Sequence, residues 1–316
     1  MRKFKTTNQQ VQLLIARGVK FSSIKTAKDI LSRKNFYNII NGYKNLICID
    51  IKNDVYIKNI SFDEIYSLYK LDSDLKNIFL KYVLIAEQEF KTHVSYEFAK
   101  LQDETEWDKL SAYDVDTKKQ KKGAIKLIKM LNKAISISKE DSQDDLINHF
   151  KKVPIWAFVN IFSLGLIKKF YLCMKEKDRT LIANNYYQIS FTYLRSFLEL
   201  MNMFRNVFAH NFRVLFYRIK DFDKQIADTP IHLKLNIDKE NGKYMYGKND
   251  LFSMVIVLKY MLCDEDFKSF YDSLISIFDS FKKNINKIDY NQVIESIGFF
   301  EESKTKNWKN IISVEK

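Results

Sequence analysis

Apolar residues along the chain recur mostly at intervals of three and four, the period of a helix. Val11, Leu14 and Ile15, and then Ala27, Ile30 and Leu31, follow it between Asn8 and Tyr43, broken at Gly18 and restarted at Ser22 or Ser23. This predicts a small helical N-terminal lobe. Ser61-Phe62-Asp63-Glu64 sets a hydroxyl three residues before a glutamate, a capping box. The apolar rhythm from Ile65 passes a second candidate cap, Asp72 or Ser73, before ending near Leu101, so two helices are expected to start here. Residues 102–117 are polar and acidic and read as a surface connection. Beyond them Ile125, Ile128, Leu131 and Ile135 mark the buried stripe of a further helix. Pro154 suits the first turn of a helix running to about Met174, and another is expected from Phe191 to Phe216. Alternation in His232–Asn236 and Lys243–Tyr246 around Asn241-Gly242 predicts one small β-hairpin. Asp250 caps an apolar helix to about Leu262, and one or two amphipathic helices finish the chain.

Composition narrows this to an all-α protein. With 7 Gly and 2 Pro in 316 residues, turn-formers are too scarce for a many-stranded β-sandwich or barrel. The 46% hydrophobic content suffices for a core. Neither G-x-G-x-x-G nor G-x-x-x-x-G-K-[ST] occurs, which excludes a P-loop enzyme. Cys48, Cys173 and Cys263 are far apart and form no C-x-x-C pair, so neither a disulfide framework nor a zinc site is expected. Residues Met1–Gln10 are polar and basic, unlike a secretory signal. The longest largely apolar uncharged run, Val153–Ile167, is shorter than the about 20 residues that span a bilayer and reads as a buried core helix. A cytoplasmic protein with no membrane partner, no catalytic metal and no cofactor is the expectation.

The formal net charge is +13, which favours polyanionic partners, nucleic acid first, because neutralising phosphates releases counterions. Lysine-rich composition from AT-rich coding sequence is the plainer explanation. The excess is concentrated, however. Lys118, Lys119, Lys121, Lys122, Lys126, Lys129, Lys133 and Lys139 lie in a stretch with no acidic residue, and Lys122, Lys126, Lys129 and Lys133 share one helical face. Such faces are commonly just solvated. The lack of any acid to pair with this one points to a surface that tracks RNA phosphates.

Only His93, His149, His210 and His232 offer imidazoles. No H-E-x-x-H pair and no G-x-S-x-G elbow occurs, so neither a zinc protease nor a serine hydrolase is supported. Arg205-Asn206-Val207-Phe208-Ala209-His210 is an R-x4-H, followed by Asn211 and Arg213. Metal-free RNA cleavage needs a base for the 2′-hydroxyl proton, an acid for the leaving 5′-oxygen and a cation for the charge on phosphorus. His titrates near neutrality and Arg binds phosphate oxygens in pairs. By itself the pattern is common, since chance gives roughly 0.3 matches in a chain of this composition.

Its surroundings are more specific. Val153-Pro-Ile-Trp-Ala-Phe-Val-Asn-Ile-Phe-Ser-Leu-Gly-Leu-Ile167 and Phe204-Arg-Asn-Val-Phe-Ala-His-Asn-Phe-Arg213 resemble the "P-x-W…S-x-G-x-[IL]" and "RN-x-[CF]-AHN-x-R" segments of the Abi-like abortive-infection proteins, particularly the AbiF/AbiD group. Leu13–Val19 and Asn35–Lys44 are similar to that family's "L-x-x-RG" and "NFY-x-IINGYK" segments, so the likeness runs from Lys5 to about Leu262. The resemblance implies a HEPN-like helical bundle whose R-x4-6-H cleaves RNA without metal. Arg205 and His210 then take the catalytic places, Asn206 the polar place after the arginine, and Asn211 and Arg213 orient His210 or hold RNA. Phe208 stands where relatives often carry Cys. The resemblance also implies a role in phage defence or as a toxin, and control by a structured non-coding RNA in some relatives. On this reading residues 1–70 form the N-terminal lobe, 71–220 the bundle, and 221–316 the hairpin and C-terminal helices packed on it.

A single R-x4-H per chain suggests one further expectation. Separate acid and base are supplied by two motifs, hence by a homodimer with a composite site, as in HEPN relatives. The alternative is a non-catalytic RNA-binding module that holds a structured RNA. Nucleotide transfer to a partner, which some HEPN proteins assist, has no nucleotide-binding glycine motif here to support it.

Overall fold

The computed structural model describes residues 4–141, 152–210, 212–221 and 224–315. Its organising element is α5, Phe62–Gln102, which at 1.5 Å per residue is about 60 Å long. The capping box forms as expected: the Ser61 hydroxyl accepts from Glu64 N and the Glu64 carboxylate accepts from Ser61 N. The expected second start does not occur, and α5 runs unbroken through Asp72 and Ser73. Asp72 is instead buried in mid-helix, paired with Lys76 one turn on at 3.1 Å. Its Oδ1 accepts from the backbone N–H groups of Val214 and Leu215, at 2.8 and 3.1 Å. A residue with capping chemistry here caps a segment remote in sequence.

Ahead of α5 lie α1 (Thr7–Ala16), α2 (Ile24–Arg33) and the short α3 (Phe36–Ile39) and α4 (Lys44–Ile47). Thr6 and Ser23 cap α1 and α2. Gly18 turns the chain between them at φ +81°, a region open to glycine. A short ribbon not expected from the sequence follows, β1 (Cys48–Asp50) against β2 (Val55–Tyr56). Buried Asp54 beside it binds both Arg17, at 2.6 Å, and Lys44, closing the lobe on itself.

After α5 the polar stretch is less superficial than its composition suggests. Trp107 is buried and donates Nε1–H to Val153 O at 2.7 Å, and Tyr113 donates to Trp107 O at 2.5 Å. Helix α6, Lys118–Asp141, follows. Its buried stripe is Ala124, Leu127, Leu131 and Ile135, and Ile125 is exposed rather than part of it. The helix expected from Pro154 to Met174 is two. Pro154 is the N-cap of α7 (Ile155–Phe158), and after a 3-10 turn Ser163 caps α8 (Leu164–Cys173) with its hydroxyl on Leu166 N. Serine prefers such a cap to a helix interior, where its hydroxyl competes for backbone groups. The apolar run Val153–Ile167 thus turns a corner. Helix α9 (Glu176–Tyr187), not expected from the sequence, leads to α10 (Phe191–Ala209).

The C-terminal part holds α11 (Pro230–Lys234), α12 (Leu251–Met261), α13 (Asp264–Lys283) and α14 (Tyr290–Ser296). His232–Lys234 therefore belong to a helix. The hairpin is shorter than expected, β3 (Lys239–Glu240) against β4 (Lys243–Tyr244), with Asn241 and Gly242 both at positive φ as a type I′ turn requires. Asp250 caps α12, every residue of which is buried. Helices α9, α10, α12 and α13 pack along α5. With 14 helices and two small strand pairs among the described residues, the protein is all-α, as its sequence predicts. No helix among the described residues is long and apolar enough to cross a membrane. Cys48, Cys173 and Cys263 are all free thiols.

Candidate active site at the end of α10

The R-x4-H sits where α10 stops. The sequence predicted helix to Phe216, but the last helical residue is Ala209, and His210 is the C-cap, extended at φ −101° and ψ 127°. The apolar residues that suggested continuation, Val214 and Leu215, are buried by another route, held through their backbone N–H groups by Asp72 of α5. That anchor fixes the chain just beyond His210, and with it the course of the segment that carries the imidazole.

Arg205, Asn206 and His210 lie within six residues at this helix end, and Asn206 and His210 are exposed. Arg205 is 35% exposed, and behind it stands the buried Glu87 of α5, whose Oε2 lies 3.9 Å from Arg205 Nε. At that distance the two attract without a hydrogen bond, and neither atom has another hydrogen-bond partner. The second carboxylate oxygen of Glu87 pairs with buried Lys91 at 2.8 Å. Two cations share one carboxylate, so the trio keeps a net positive charge near the C-terminal end of α10, suited to an anionic phosphate. Nothing in the R-x4-H itself pointed to Glu87 or Lys91. The available signal was their position on α5, where charged residues interrupt an otherwise apolar face.

Among the described histidines only His210 is exposed. His93 stacks on Tyr186 with ring centroids 4.0 Å apart, bonds Tyr187 through Nδ1, and has its pKa lowered by burial. His232 is fully buried, and its Nδ1 accepts from Thr229 N while Nε2–H donates to Gly247 O at 2.9 Å. Burial lowers its pKa to about 4, so at neutral pH it is an uncharged structural residue. His149 and Asn211 lie outside the described residues.

Arg213 reaches the N-terminal lobe. Its guanidinium lies 5.8 Å from the Tyr37 ring and presses on the backbone of Gly42, where any Cβ would collide with it. Lys118, Lys119, Lys122, Lys126, Lys129 and Lys133 are exposed on α6, and none has an acidic partner among the described residues. Helix α6 packs on α8, which also packs on α10. Lys119 and Arg195 of α10 line one pocket of 500 Å³. From Arg195 to the end of α10 is about 21 Å along the helix. The Lys119 end of the lysine face is therefore set back from the R-x4-H, whereas Met130 meets Lys169 of α8 and Gly165 of α8 lies against Asn202 of α10, so α6 runs towards the R-x4-H through Lys133.

A family model described as Abi-like protein matches residues 29–216, more than half of the chain, and takes in the segment around Gly42, the Pro154–Ile167 segment and the R-x4-H. The Leu13–Val19 segment lies ahead of that match. No curated protein and no solved structure matches. Arg213 joined to Tyr37 and Gly42 of the lobe, Glu87 facing Arg205, and α10 itself all fall within one family model, and the chain belongs to the Abi-like protein family.

Proposed function

We propose that the protein is a metal-independent endoribonuclease of HEPN type that acts in abortive infection as a toxin or anti-phage effector. The observation that carries this reading is the exposed His210 at the cap of α10, beside an arginine whose charge is backed by a buried glutamate. In the reaction a base removes the 2′-hydroxyl proton, the 2′-oxygen attacks phosphorus, and the 5′-oxygen leaves with a proton from an acid. The products are a 2′,3′-cyclic phosphate and a 5′-hydroxyl. His210 serves in one of the two proton roles. Arg205 neutralises the charge that builds on the phosphoryl oxygens, and Asn206 offers an amide to the same group. Family membership supports the abortive-infection role, and a structured non-coding RNA is the proposed regulator.

Replacing His210 with Ala should reduce cleavage of single-stranded RNA by about 10²- to 10⁴-fold with unchanged thermal melting. Replacing Arg205 with Ala should reduce it comparably. Products should carry 2′,3′-cyclic or 3′-phosphate ends, and EDTA should leave the rate unaltered. Cleavage that proceeds equally well without His210 would leave a non-catalytic RNA-binding module as the better reading.

A further inference from the structure

In the N-terminal lobe the structure leaves a pocket of 630 Å³ with an aromatic wall, within the about 300–1,000 Å³ usual for small-molecule sites. Phe4, Phe36 and Tyr37 line it, and two of these rings stand open to water, Phe4 at 88% and Tyr37 at 58% exposure. Exposed aromatic surface grouped in this way marks a binding site. The same wall carries amide groups of the kind that read base edges. Asn35 spends its carbonyl oxygen on Tyr37 N and keeps its NH₂ free to donate, and the Asn41 amide has no protein partner among the described residues. Lys5 at the rim adds a charge that no acid among the described residues offsets.

The pocket is connected to the candidate active site by adjacent residues. Phe212, 61% exposed, stands edge-on to His210 with ring centroids 6.4 Å apart. The next residue, Arg213, spans to Tyr37 and lies over its ring. Three residues of chain reach at most about 11 Å and the arginine side chain adds its own length, so Tyr37 lies within a few nucleotide spacings of His210. Unpaired bases stack on aromatic side chains and arginine planes and are read on their exposed edges, and cations alongside hold the backbone. We propose that this pocket takes one unpaired base of a single-stranded RNA, a few nucleotides from the phosphate held at Arg205 and His210, with Tyr37 as the stacking ring and Asn35 and Asn41 reading its edge. The proposal rests on the RNA-directed reading of the same site and assigns the N-terminal lobe the choice of sequence.

The test uses the full-length chain carrying His210→Ala, so that RNA survives, with fluorescein-labelled single-stranded RNA of mixed sequence as the probe. Adding Tyr37→Ala should weaken binding by about 5- to 100-fold, the range for loss of one stacked base. Tyr37→Trp should restore it. An abasic nucleotide moved stepwise along the probe should weaken binding to the parent at one position, and should lose that effect when Tyr37 is Ala. Binding that ignores Tyr37→Ala, or a Trp variant as weak as the Ala variant, would overturn the pocket. So would equal affinity for a duplex of the same sequence. Cleavage by the wild-type chain is scored separately. Tyr37-dependent binding without cleavage sinks the nuclease reading and keeps the pocket, whereas cleavage with Tyr37-independent binding does the reverse.

Discussion

Glu87 is the residue on which the candidate site most depends without belonging to its motif. It is buried on α5 between Lys91 and Arg205, with one oxygen committed to Lys91 at 2.8 Å and the other facing Arg205 at 3.9 Å. An arginine left to itself on a helix end samples many rotamers, and a fixed negative charge behind it narrows them before any phosphate arrives. Glu87 therefore positions Arg205 and touches no substrate. Replacing it with Gln should cost about 3–5 kcal/mol of stability, because Lys91 keeps a buried charge with no counter-ion. Combining Glu87→Gln with Lys91→Met should recover much of that stability, measured by chemical denaturation, but not the cleavage rate, since Arg205 still lacks its support. Full activity in the stable double variant would show that Arg205 needs no such backing. The residues of the R-x4-H could be read from the sequence because their chemistry is local and their spacing follows one helix. The remote partners of Glu87 and Asp72 could not be assigned, because Arg205 and Val214 lie more than 100 residues away and meet them only through packing.

At the scale of elements, cap chemistry was legible and continuity was not. Ser61, Ser23 and Asp250 each start a helix where their side chains suggested one. Asp72 suggested a start and is satisfied instead by Val214 and Leu215, while Ser163 divides an apolar run whose periodicity alone reads as one helix. Apolar periodicity reports burial, and a chain can bury alternate residues through a pinned turn as well as through a helix, which is why α10 was expected to reach Phe216. Helix α6 keeps Leu131 and Ile135 of its expected stripe in the core with Ile128 packed against it, whereas Ile125 faces solvent and Ala124 and Leu127 join the core. Lys118, Lys119, Lys121, Lys122, Lys126, Lys129 and Lys133 are unaffected by that correction, all being exposed. Converting Lys122, Lys126, Lys129 and Lys133 together to Gln should weaken RNA binding and lower the salt slope by about 0.7 for each phosphate that is no longer neutralised. A slope indifferent to the substitutions would make α6 a solvated face and nothing more.

The molecule as a whole presents one R-x4-H, and a proton-relay reaction with separate acid and base is served by two. Within one chain the remaining described histidines cannot supply the second group: His232 is sealed in the C-terminal core and uncharged at neutral pH, and His93 is stacked between tyrosines. A homodimer that brings two α10 ends together would provide both imidazoles and both arginines in one twofold-symmetric site, the arrangement proposed for this protein. Mixed dimers test it. Wild-type chain co-expressed with an excess of His210→Ala chain, and separated by differential tags, should yield heterodimers whose activity falls well below half that of the wild-type dimer, because each composite site then holds one imidazole where it needs two. Light scattering on the same fractions should return twice the chain mass. Heterodimers with half the wild-type activity would mean that each chain works alone, and a fully active monomer would mean the same. In either case the second proton would have to pass through water or another side chain of the same protomer, and Arg205 with His210 would form the whole of the protein's catalytic contribution.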